Sequence, residues 1–460
     1  MKRAALLFAL ICSACSLAPT YHRPSVDIPQ QFGDGLFRQA RPADDLPRGA
    51  WWKVYSDRHL DSLEEELSSN QDLKAALARL SEAQSALGAQ RALLFPSIDL
   101  GASSQKLDNS KSRATYFRGI PTRYSDNQLI ADVSYEPDVF GRISNQVKAS
   151  SMAFEASKAD VASLKLALEA ELALNYFALQ ALRHEEALQK QIVSEEAEHL
   201  ELIRALYDGG AAPEADFDQA EISLQNAKSQ AHEFGLQDET LVHAIALLLG
   251  KPASGFKVET GNGLPKPQAF TSLPSTLLER RPDIASAERQ VEAANAEIGV
   301  AKAAFFPNFT LNAMGGFESG QTGNLIDAPS ELWSLGVGAA VNLFDAGLRR
   351  SLTDEARARY EETVAHYRQT VLAAYREVED GMSSIRRLEL EGKSQKSAVD
   401  SASKALDQAK YGFDGGMIPY QDVVASKIQY LQASQQLAQL IGRRMTASVL
   451  LVKSLGGGPG

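Results

Sequence analysis

The sequence predicts a mainly α-helical fold with a transmembrane β part, built from two tandem copies of one structural unit. Three observations support this fold class. Landmark motifs recur in the same order in both halves of the 460-residue chain. Each half contains one very long segment of strong helix-forming residues. Each half also contains two segments in which apolar and polar residues alternate.

The internal repeat is visible in short motifs. Asn70 to Leu73 and Arg281 to Ile284 each lead through an Ala-rich stretch to an aromatic residue followed by proline, with the two copies about 210 residues apart. Later in each half, a Gly-Gly pair is followed by an aspartate. Because the order is kept over so long a period, the chain contains two copies of one unit rather than a solenoid of short repeats.

The N-terminus has the features of a secretory signal peptide, assigned to residues 1–14. Lys2 and Arg3 precede an apolar run that is too short to span a bilayer. The small residues before Cys15 resemble the lipobox of bacterial lipoproteins, in which this cysteine is acylated and becomes the first mature residue. We therefore expect a covalent lipid on Cys15 and, with Ser16 after it, sorting to the outer membrane. The alternative is a plain secreted protein with an ordinary cysteine.

Composition narrows the chemistry of the mature chain. Both of the 2 cysteines belong to the leader region, which excludes a disulfide framework and a thiolate metal site. The formal net charge of -11 argues against nucleic acid as a partner. The 7 histidines form no metal-binding spacing, and no nucleophile elbow, Walker A loop or dinucleotide-binding fingerprint is present. The sequence therefore predicts no active site and no cofactor besides the lipid on Cys15.

The residue pattern in each half of the sequence predicts one long helical hairpin. No glycine or proline interrupts residues 142–208, so this segment predicts a single helix about 100 Å long at 1.5 Å per residue. The second copy predicts a helix over 348–410, interrupted only by Gly381 and Gly392. Each helix leads to a Gly-Gly pair and then a proline, a pattern typical of a left-handed helix stop and a new helix start. The return helices are predicted from Pro213 and from Pro419.

Between the helices, the periodicity changes from helical to alternating. Four segments of about ten residues have one apolar and one polar face, which predicts four β-strands of transmembrane type. The alternative is two soluble hairpins packed on a layer of helices. The apolar residues that define the four strands are Ile98, Leu100 and Ala102; Leu129, Ala131, Val133 and Tyr135; Phe309, Leu311, Ala313 and Phe317; and Trp333, Leu335, Val337, Ala339, Val341 and Leu343.

Four strands cannot close a barrel by themselves. An open edge in hydrocarbon would leave backbone groups unpaired, so membrane-spanning strands require closure with strands of other copies. Two copies would give eight strands and three would give twelve, and only the larger number leaves an interior wide enough for solutes. The polar segments that join consecutive strands, 106–127 and 318–331, are expected to face the cell exterior.

Together these features resemble the TolC-like outer membrane factor family, in particular the lipoprotein branch that serves tripartite efflux pumps. The resemblance covers essentially the whole mature chain, in order and in both repeats. The motifs that carry it are Cys15 to Pro19, Tyr21, Arg23-Pro24, Trp51-Trp52, Leu94-Phe95-Pro96, Tyr135 to Arg142, Arg280 to Ile284, Phe306-Pro307, Asn342 to Gly347 and Leu455 to Gly458.

The resemblance implies a homotrimer in which twelve strands form one outer membrane barrel and the helical hairpins form a long periplasmic tunnel. It implies a passive, lipid-anchored exit duct that works with a periplasmic adaptor and an inner membrane transporter, which supplies the energy. The domain organisation that follows is a signal peptide at 1–14, a lipidated and equatorial segment at 15–69, repeat 1 at 70–250, an equatorial linker at 251–274, repeat 2 at 275–455 and a tail at 456–460.

The resemblance also places adaptor contacts at the two ends of the helical hairpins. The glycines there permit a left-handed turn as well, and both roles can coexist. The residues concerned are Tyr207, Asp208, Gly209, Gly210, Phe413, Asp414, Gly415 and Gly416.

Asp216 and Asp422 match family positions that line the tunnel constriction. In a trimer each would form a ring of three carboxylates, which favours cations and can bind a divalent ion. A second aspartate common in the family is replaced here by Ala425, with Lys427 nearby, so the chain departs from a strongly acidic double ring. The alternative role is stabilisation of a helix N-terminus by a negative charge, worth under about 1 kcal/mol.

The predicted function is therefore an outer membrane exit duct. A lipid-anchored periplasmic coiled-coil scaffold or adaptor is the alternative from another class, and an enzyme is a distant third. Ion conductance in a planar bilayer separates the first two, because a scaffold gives no discrete channels. Walls of Ala, Ser and charged residues select weakly, so we expect substrate specificity to belong to the inner membrane pump.

Overall fold

The computed structural model describes residues 16–26, 31–32, 35–36, 49–114, 116–261, 263 and 281–457. The signal peptide assigned to 1–14, the acylation site Cys15 and the segments 264–280 and 458–460 lie outside the described residues. Seven helices and one sheet organise the rest. In chain order they are α1 (Arg58–Glu66), α2 (Gln71–Ala92), β1 (Ser97–Asp108), β2 (Arg123–Tyr135), α3 (Arg142–Asp208), α4 (Glu214–Leu248), α5 (Pro282–Ala303), β3 (Asn308–Ser319), β4 (Glu331–Ala340), α6 (Leu348–Asp414) and α7 (Tyr420–Ser454). Shorter elements are a 3-10 turn at Trp51–Tyr55, three further single 3-10 turns and a two-stranded ribbon of Gln31–Phe32 with Gly35–Leu36.

The two long helices confirm the duplication. Helices α3 and α6 each contain 67 residues, and the helices that follow them, α4 and α7, each contain 35. Helix α6 continues past the predicted end at Lys410 as far as Asp414, and it runs through Gly381 and Gly392 without a break. An isolated glycine costs a helix only about 1 kcal/mol relative to alanine, which the flanking turns outweigh.

Both long helices end in the same left-handed turn. Gly210 and Gly416 have φ of 70°, a conformation that glycine adopts without steric cost. The amide of Ala211 donates to Leu206 O at 2.7 Å and that of Met417 donates to Gly412 O at 2.8 Å, which closes a Schellman motif in each copy. Prolines then occupy the N-cap positions of α4 and α7, where a missing N–H costs no hydrogen bond.

The four predicted strands form one antiparallel sheet in the order β1-β2-β3-β4. The register places Ile98, Val133, Ala313 and Leu335 on one rung that crosses all four strands. Ile98 and Leu335 are 73% and 76% exposed, so this face is apolar and uncovered within one chain. The next rung carries Asp99, Asp132, Met314 and Ser334 on the other face. The alternation thus gives the sheet one apolar and one largely polar face.

The fourth strand is shorter than predicted. The apolar alternation continues to Leu343, but β4 ends at Ala340. Asn342 Oδ1 accepts a hydrogen bond from the amide of Phe344, and Asp345 Oδ1 accepts one from that of Gly347. Such local side-chain to backbone bonds compete with strand pairing, and they turn the chain into α6.

The described chain divides into two compact units, each of which draws segments from both repeats. The sheet unit has its described residues in 16–25, 79–158 and 286–368, and the helical unit has them in 26–78, 159–285 and 369–457. The core of the helical unit is built from apolar side chains of the segments 51–73, 166–179, 242–258 and 445–452. Trp51, only 4% exposed, is held there because its indole Nε1 donates to Glu169 Oε2 at 3.0 Å.

Equivalent residues of the two repeats fix the start of α2 and of α5. Asn70, 3% exposed, donates to Leu248 O at 2.8 Å, and its Oδ1 accepts the amide of Leu73. Its counterpart Arg281 donates to Ser454 O at 2.9 Å and forms ion pairs with Asp283 and Glu377. Each residue therefore satisfies a carbonyl at the C-terminal end of a return helix, which has no partner inside the helix. This explains why both landmark motifs begin with a long polar side chain.

In the sheet unit, the segment that follows Cys15 packs on α5. Asn295 Nδ2 donates to Pro19 O at 2.8 Å, and Arg23 forms an ion pair with Glu288. Ser16 Oγ donates to Asn145 Oδ1 of α3 at 2.9 Å. Burial and nearby carboxylates raise the pKa of the Tyr21 hydroxyl well above its usual range, as expected for a phenol packed beside the carboxylates of α5.

Candidate functional site

The eight residues predicted as adaptor contacts lie at the two hairpin ends. Tyr207 and Phe413 are the last aromatic residues of α3 and α6, and they are 39% and 43% exposed. Tyr207 stacks on Phe217 with 5.8 Å between ring centroids, and Phe413 meets Tyr420 edge-on at 5.3 Å. The aspartates and glycines that follow them, Asp208, Gly209, Gly210, Asp414, Gly415 and Gly416, are exposed. Each hairpin end thus offers an aromatic ring and an acidic turn to solvent, and the end in repeat 2 also exposes Tyr411 and Met417.

Asp216 and Asp422 both lie in the first turn of a return helix. Their amides donate to Pro213 O and Pro419 O at 3.1 Å. Both side chains are exposed, and in the described part of the chain neither carboxylate has an ion pair or a side-chain hydrogen bond. Neither side chain caps its helix by a hydrogen bond. These two carboxylates are therefore free to face a lumen.

Lys427 does not neutralise Asp422. It forms an ion pair with Glu195 of α3, whose side chain is buried. Further along the same helix pair, Gln435 donates to Gln189 Oε1 at 2.9 Å, and Gln189 donates to Ala227 O of α4 at 2.9 Å. A partly buried polar ladder therefore joins α7, α3 and α4. Sequence reasoning missed this ladder, because its partners lie far apart along the chain.

A second feature missed from the sequence is a cavity between four helices of the helical unit. It has a volume of about 690 Å³ and is lined by residues of α3, α4, α6 and α7. Glu185 lines it, and burial raises the pKa of this carboxyl to about 7. Arg443 and Glu391 also line the cavity, and Arg443 donates to Glu391 at 3.0 Å. Glu185 is therefore partly buried rather than part of a fully solvated helix face.

In the part of the chain that the structure describes, no helix is both long enough and apolar enough to cross a membrane. The same residues contain no group of three or more His, Cys, Asp or Glu side chains arranged to hold a metal ion.

Comparison with known proteins identifies the family. The sequence profile of the outer membrane efflux protein family matches residues 62–251 and 273–457. The chain is 30% identical over 471 residues to the pyoverdine export outer membrane protein OpmQ of Pseudomonas aeruginosa, covering 100% of this chain and 97% of that protein. The chain belongs to the outer membrane efflux protein family.

Other relatives agree with this assignment. Outer membrane protein OprJ of Pseudomonas aeruginosa is 29% identical over 468 residues, covering 99% of this chain and 95% of OprJ. The solved structure of the outer-membrane channel OprN superposes with a TM-score of 0.84 at 28% identity, covering 96% of this chain and 99% of that chain. The Campylobacter jejuni CmeC outer membrane channel shares the fold, with a TM-score of 0.87 at 23% identity over 96% of this chain and 95% of that chain.

As a member of the outer membrane efflux protein family, the chain is an outer membrane channel for efflux. This confirms the predicted fold class, the resemblance to TolC-like channels and the outer membrane location. The family consists of outer membrane channels rather than enzymes. The lipid on Cys15, the constriction at Asp216 and Asp422 and the adaptor contacts at the hairpin ends stay predictions.

Proposed function

We propose that three copies of the chain assemble into one exit duct, which receives cargo from a periplasmic adaptor and an inner membrane transporter. The observation that carries this proposal is the sheet. Strands β1 and β4 are its two edges, and each leaves one row of backbone groups unpaired in a single chain. The exposed face between these edges is apolar, which suits contact with lipid.

A trimer pairs the free strand edges and also leaves an interior open to solutes. Pairing β4 of each copy with β1 of the next removes every edge, which hydrocarbon demands. Twelve strands leave an interior open to solutes, whereas eight would be filled by side chains. Helices α3, α4, α6 and α7 then supply the walls of a periplasmic tunnel, and the carboxylates of Asp216 and Asp422 form its constriction. The lipid on Cys15 anchors the assembly, and no cofactor takes part.

The hairpin ends are the proposed contact with the adaptor. Tyr207 and Phe413 each present a partly exposed ring beside an acidic turn, a combination that suits the tip of another helical hairpin.

Energy for transport comes from the inner membrane transporter, because the channel itself has no proposed catalytic group. The relatives include outer membrane proteins of antibiotic, toluene and solvent efflux pumps and a pyoverdine export protein. We therefore propose small organic compounds as the cargo class.

A matched pair of variants tests the membrane assignment. Ser334 and Leu335 are neighbours near the middle of β4, and they point to the polar and the apolar face of the sheet. Leu335→Lys would place a charge in lipid at a cost of about 2–4 kcal/mol, whereas Ser334→Lys would place it in the lumen. The purified full-length protein should give discrete channels in a planar bilayer. Leu335→Lys should abolish them, and Ser334→Lys should only change the conductance. Equal loss in both variants, or no channels from the wild type, would contradict the duct.

A further inference from the structure

Two loops join the strands at the same end of the sheet, and they carry opposite charges. Because all four strands are antiparallel in the order β1-β2-β3-β4, the loops β1–β2 and β3–β4 emerge together. We define the basic loop as residues 109–122 and the acidic rim as residues 318–331. The basic loop contains Lys111, Arg113 and Arg118 and no acidic residue. The acidic rim contains Glu318, Asp327 and Glu331 and no basic residue.

These charges are not satisfied within one copy. The side chains of Lys111, Arg118, Glu318, Asp327 and Glu331 are exposed, and none forms an ion pair with another described residue. Just below the basic loop, by contrast, Arg123 pairs with Asp108 at 2.7 Å. The ion pair of Arg123 with Asp108 thus closes the β1–β2 ladder, whereas the five charged residues above it have no such partner among the described residues of a single copy.

Arg113 adds a second, independent observation. Its Nε is shielded from solvent and has no hydrogen-bond acceptor among the described residues. A buried guanidinium donor without an acceptor is costly, so its environment is incomplete in a single copy. An acidic side chain from outside the copy would complete it.

We propose that the basic loop of one copy binds the acidic rim of the neighbouring copy and that this pairing narrows the outer mouth of the duct. This inference rests on the proposed trimer. Closure of the barrel pairs β4 of one copy with β1 of the next, which brings the acidic rim beside the neighbour's basic loop. Each basic loop then has an acidic rim on both sides, one from its own copy and one from the next. Six loops of alternating charge surround the mouth, and opposite charges draw them together.

An anionic lipid headgroup is the competing occupant for the basic loop. The observations favour a second copy. Lipid phosphates bound at the basic loop would repel the three carboxylates of the acidic rim and would leave those carboxylates without a partner. Pairing between copies uses both sets of charges. It also predicts salt dependence, since exposed pairs weaken once the Debye length falls from about 10 Å at 0.1 M to about 3 Å at 1 M.

Disulfide trapping tests the neighbour directly. Cys15 is the only cysteine expected in the mature chain, so Arg118→Cys combined with Asp327→Cys introduces one reporter pair. Oxidation of the full-length protein should give covalent dimers and trimers on a denaturing gel. The control pair, Arg118→Cys with Asn342→Cys, places the second thiol at the other end of the sheet and should give none. Absence of linked species from the reporter pair, in a preparation that is trimeric on a native gel, would overturn the inference.

A charge swap tests the effect on the mouth. Two double variants are compared with the wild type in phosphatidylcholine bilayers: Lys111→Glu with Arg118→Glu, and Asp327→Lys with Glu331→Lys. Each should raise the conductance. Each should also abolish the part of the salt dependence of conductance that exceeds that of the bulk solution. Combining all four substitutions should restore wild-type behaviour. If only the basic-loop variant acts, and it also loses co-purified lipopolysaccharide phosphate, a headgroup is the partner and the inference is wrong. A wild-type protein that never forms trimers would instead contradict the proposed function.

Discussion

Lys427 of α7 donates to Glu195 of α3, and this ion pair lies about one turn beyond Asp422. The Glu195 side chain is buried, whereas Lys427 is 39% exposed. The pair therefore fixes the return helix of repeat 2 to the long helix of repeat 1 close to the proposed constriction. Because only Glu195 is buried, removing Lys427 should destabilise the fold more than removing Glu195 does.

Removing the lysine should loosen this part of the helical unit. Lys427→Met leaves Glu195 buried without its cation, at an expected cost of about 1–3 kcal/mol. Adding Glu195→Gln should recover most of the loss, since no uncompensated charge is left. Thermal unfolding of the four proteins of the double-mutant cycle measures the coupling, and bilayer conductance shows whether the constriction opens. Additive effects would show that the two residues do not interact.

The like-charge pair Asp99 and Asp132 predicts cation preference in the barrel. The two residues are direct partners in the β1–β2 register and point to the polar face. Like charges opposite each other destabilise a sheet by about 0.2–1 kcal/mol. Asp99→Asn with Asp132→Asn should therefore stabilise the protein slightly and lower the ratio of potassium to chloride permeability. Asp108→Asn is the control, because Asp108 is already neutralised by Arg123. An unchanged permeability ratio in the double variant would place these carboxylates outside the ion path.

Glu64 predicts a pH dependence of stability. It is 5% exposed, and neither carboxylate oxygen has a hydrogen-bond partner among the described residues. Burial, reinforced by the charge of Glu169, raises the pKa of Glu64 to about 10, although Lys165 opposes this. In the unfolded chain the pKa is about 4.3. The folded state therefore binds the extra proton between these values, and stability is lost as the pH rises through this window.

Thermal unfolding at about pH 6 and about pH 9 measures this effect. Glu64→Gln should remove most of the loss on going to the higher pH, because a neutral amide pays no ionisation cost. Glu65→Gln is the matched control, since Glu65 is the exposed neighbour on the same helix. A wild-type protein with the same pH slope as Glu64→Gln would show that Glu64 is ionised in the folded state.

The elements of the fold could be predicted from the sequence because local signals agree with the tertiary structure. The absence of glycine and proline between 142 and 208 predicts α3 to the residue, since nothing inside it can stop a helix. The strands could be predicted because every second residue along each of them is apolar. The last two apolar positions predicted for β4, Val341 and Leu343, lie beyond its end at Ala340, because the turn at Asn342 overrides alternation.

The contacts of the candidate site could not be predicted in the same way. Lys427 and Glu195 lie in different repeats, and no local pattern specifies which carboxylate a lysine will meet. Glu64 and Glu185 belong to charged runs that are typical of solvated helix faces, and only tertiary packing buries them. The hairpin ends and their aspartates were found through the repeat and the family resemblance, because those signals are carried by order and spacing.

The last prediction uses the internal repeat as its own control. Gly299 of α5 and Gly88 of α2 are equivalent positions in the two copies. A Cβ at Gly299 would lie 2.8 Å from the amide nitrogen of Ala18 and 2.7 Å from Asn145 Nδ2, whereas a Cβ at Gly88 would meet nothing within 4 Å. The contact at Gly299 involves backbone, so the segment after Cys15 would have to move away from α5.

Gly299→Ala should therefore cost about 1–3 kcal/mol, despite the better helix propensity of alanine. It should also break the bonds of Ser16 to Asn145 and of Asn295 to Pro19, which makes residues 16–25 more susceptible to limited proteolysis. Gly88→Ala should instead stabilise the protein by about 0.5–1 kcal/mol through propensity alone. Thermal unfolding and mass spectrometry of the proteolytic fragments measure both effects. Equal shifts in the two variants would mean that the N-terminal segment does not pack on α5.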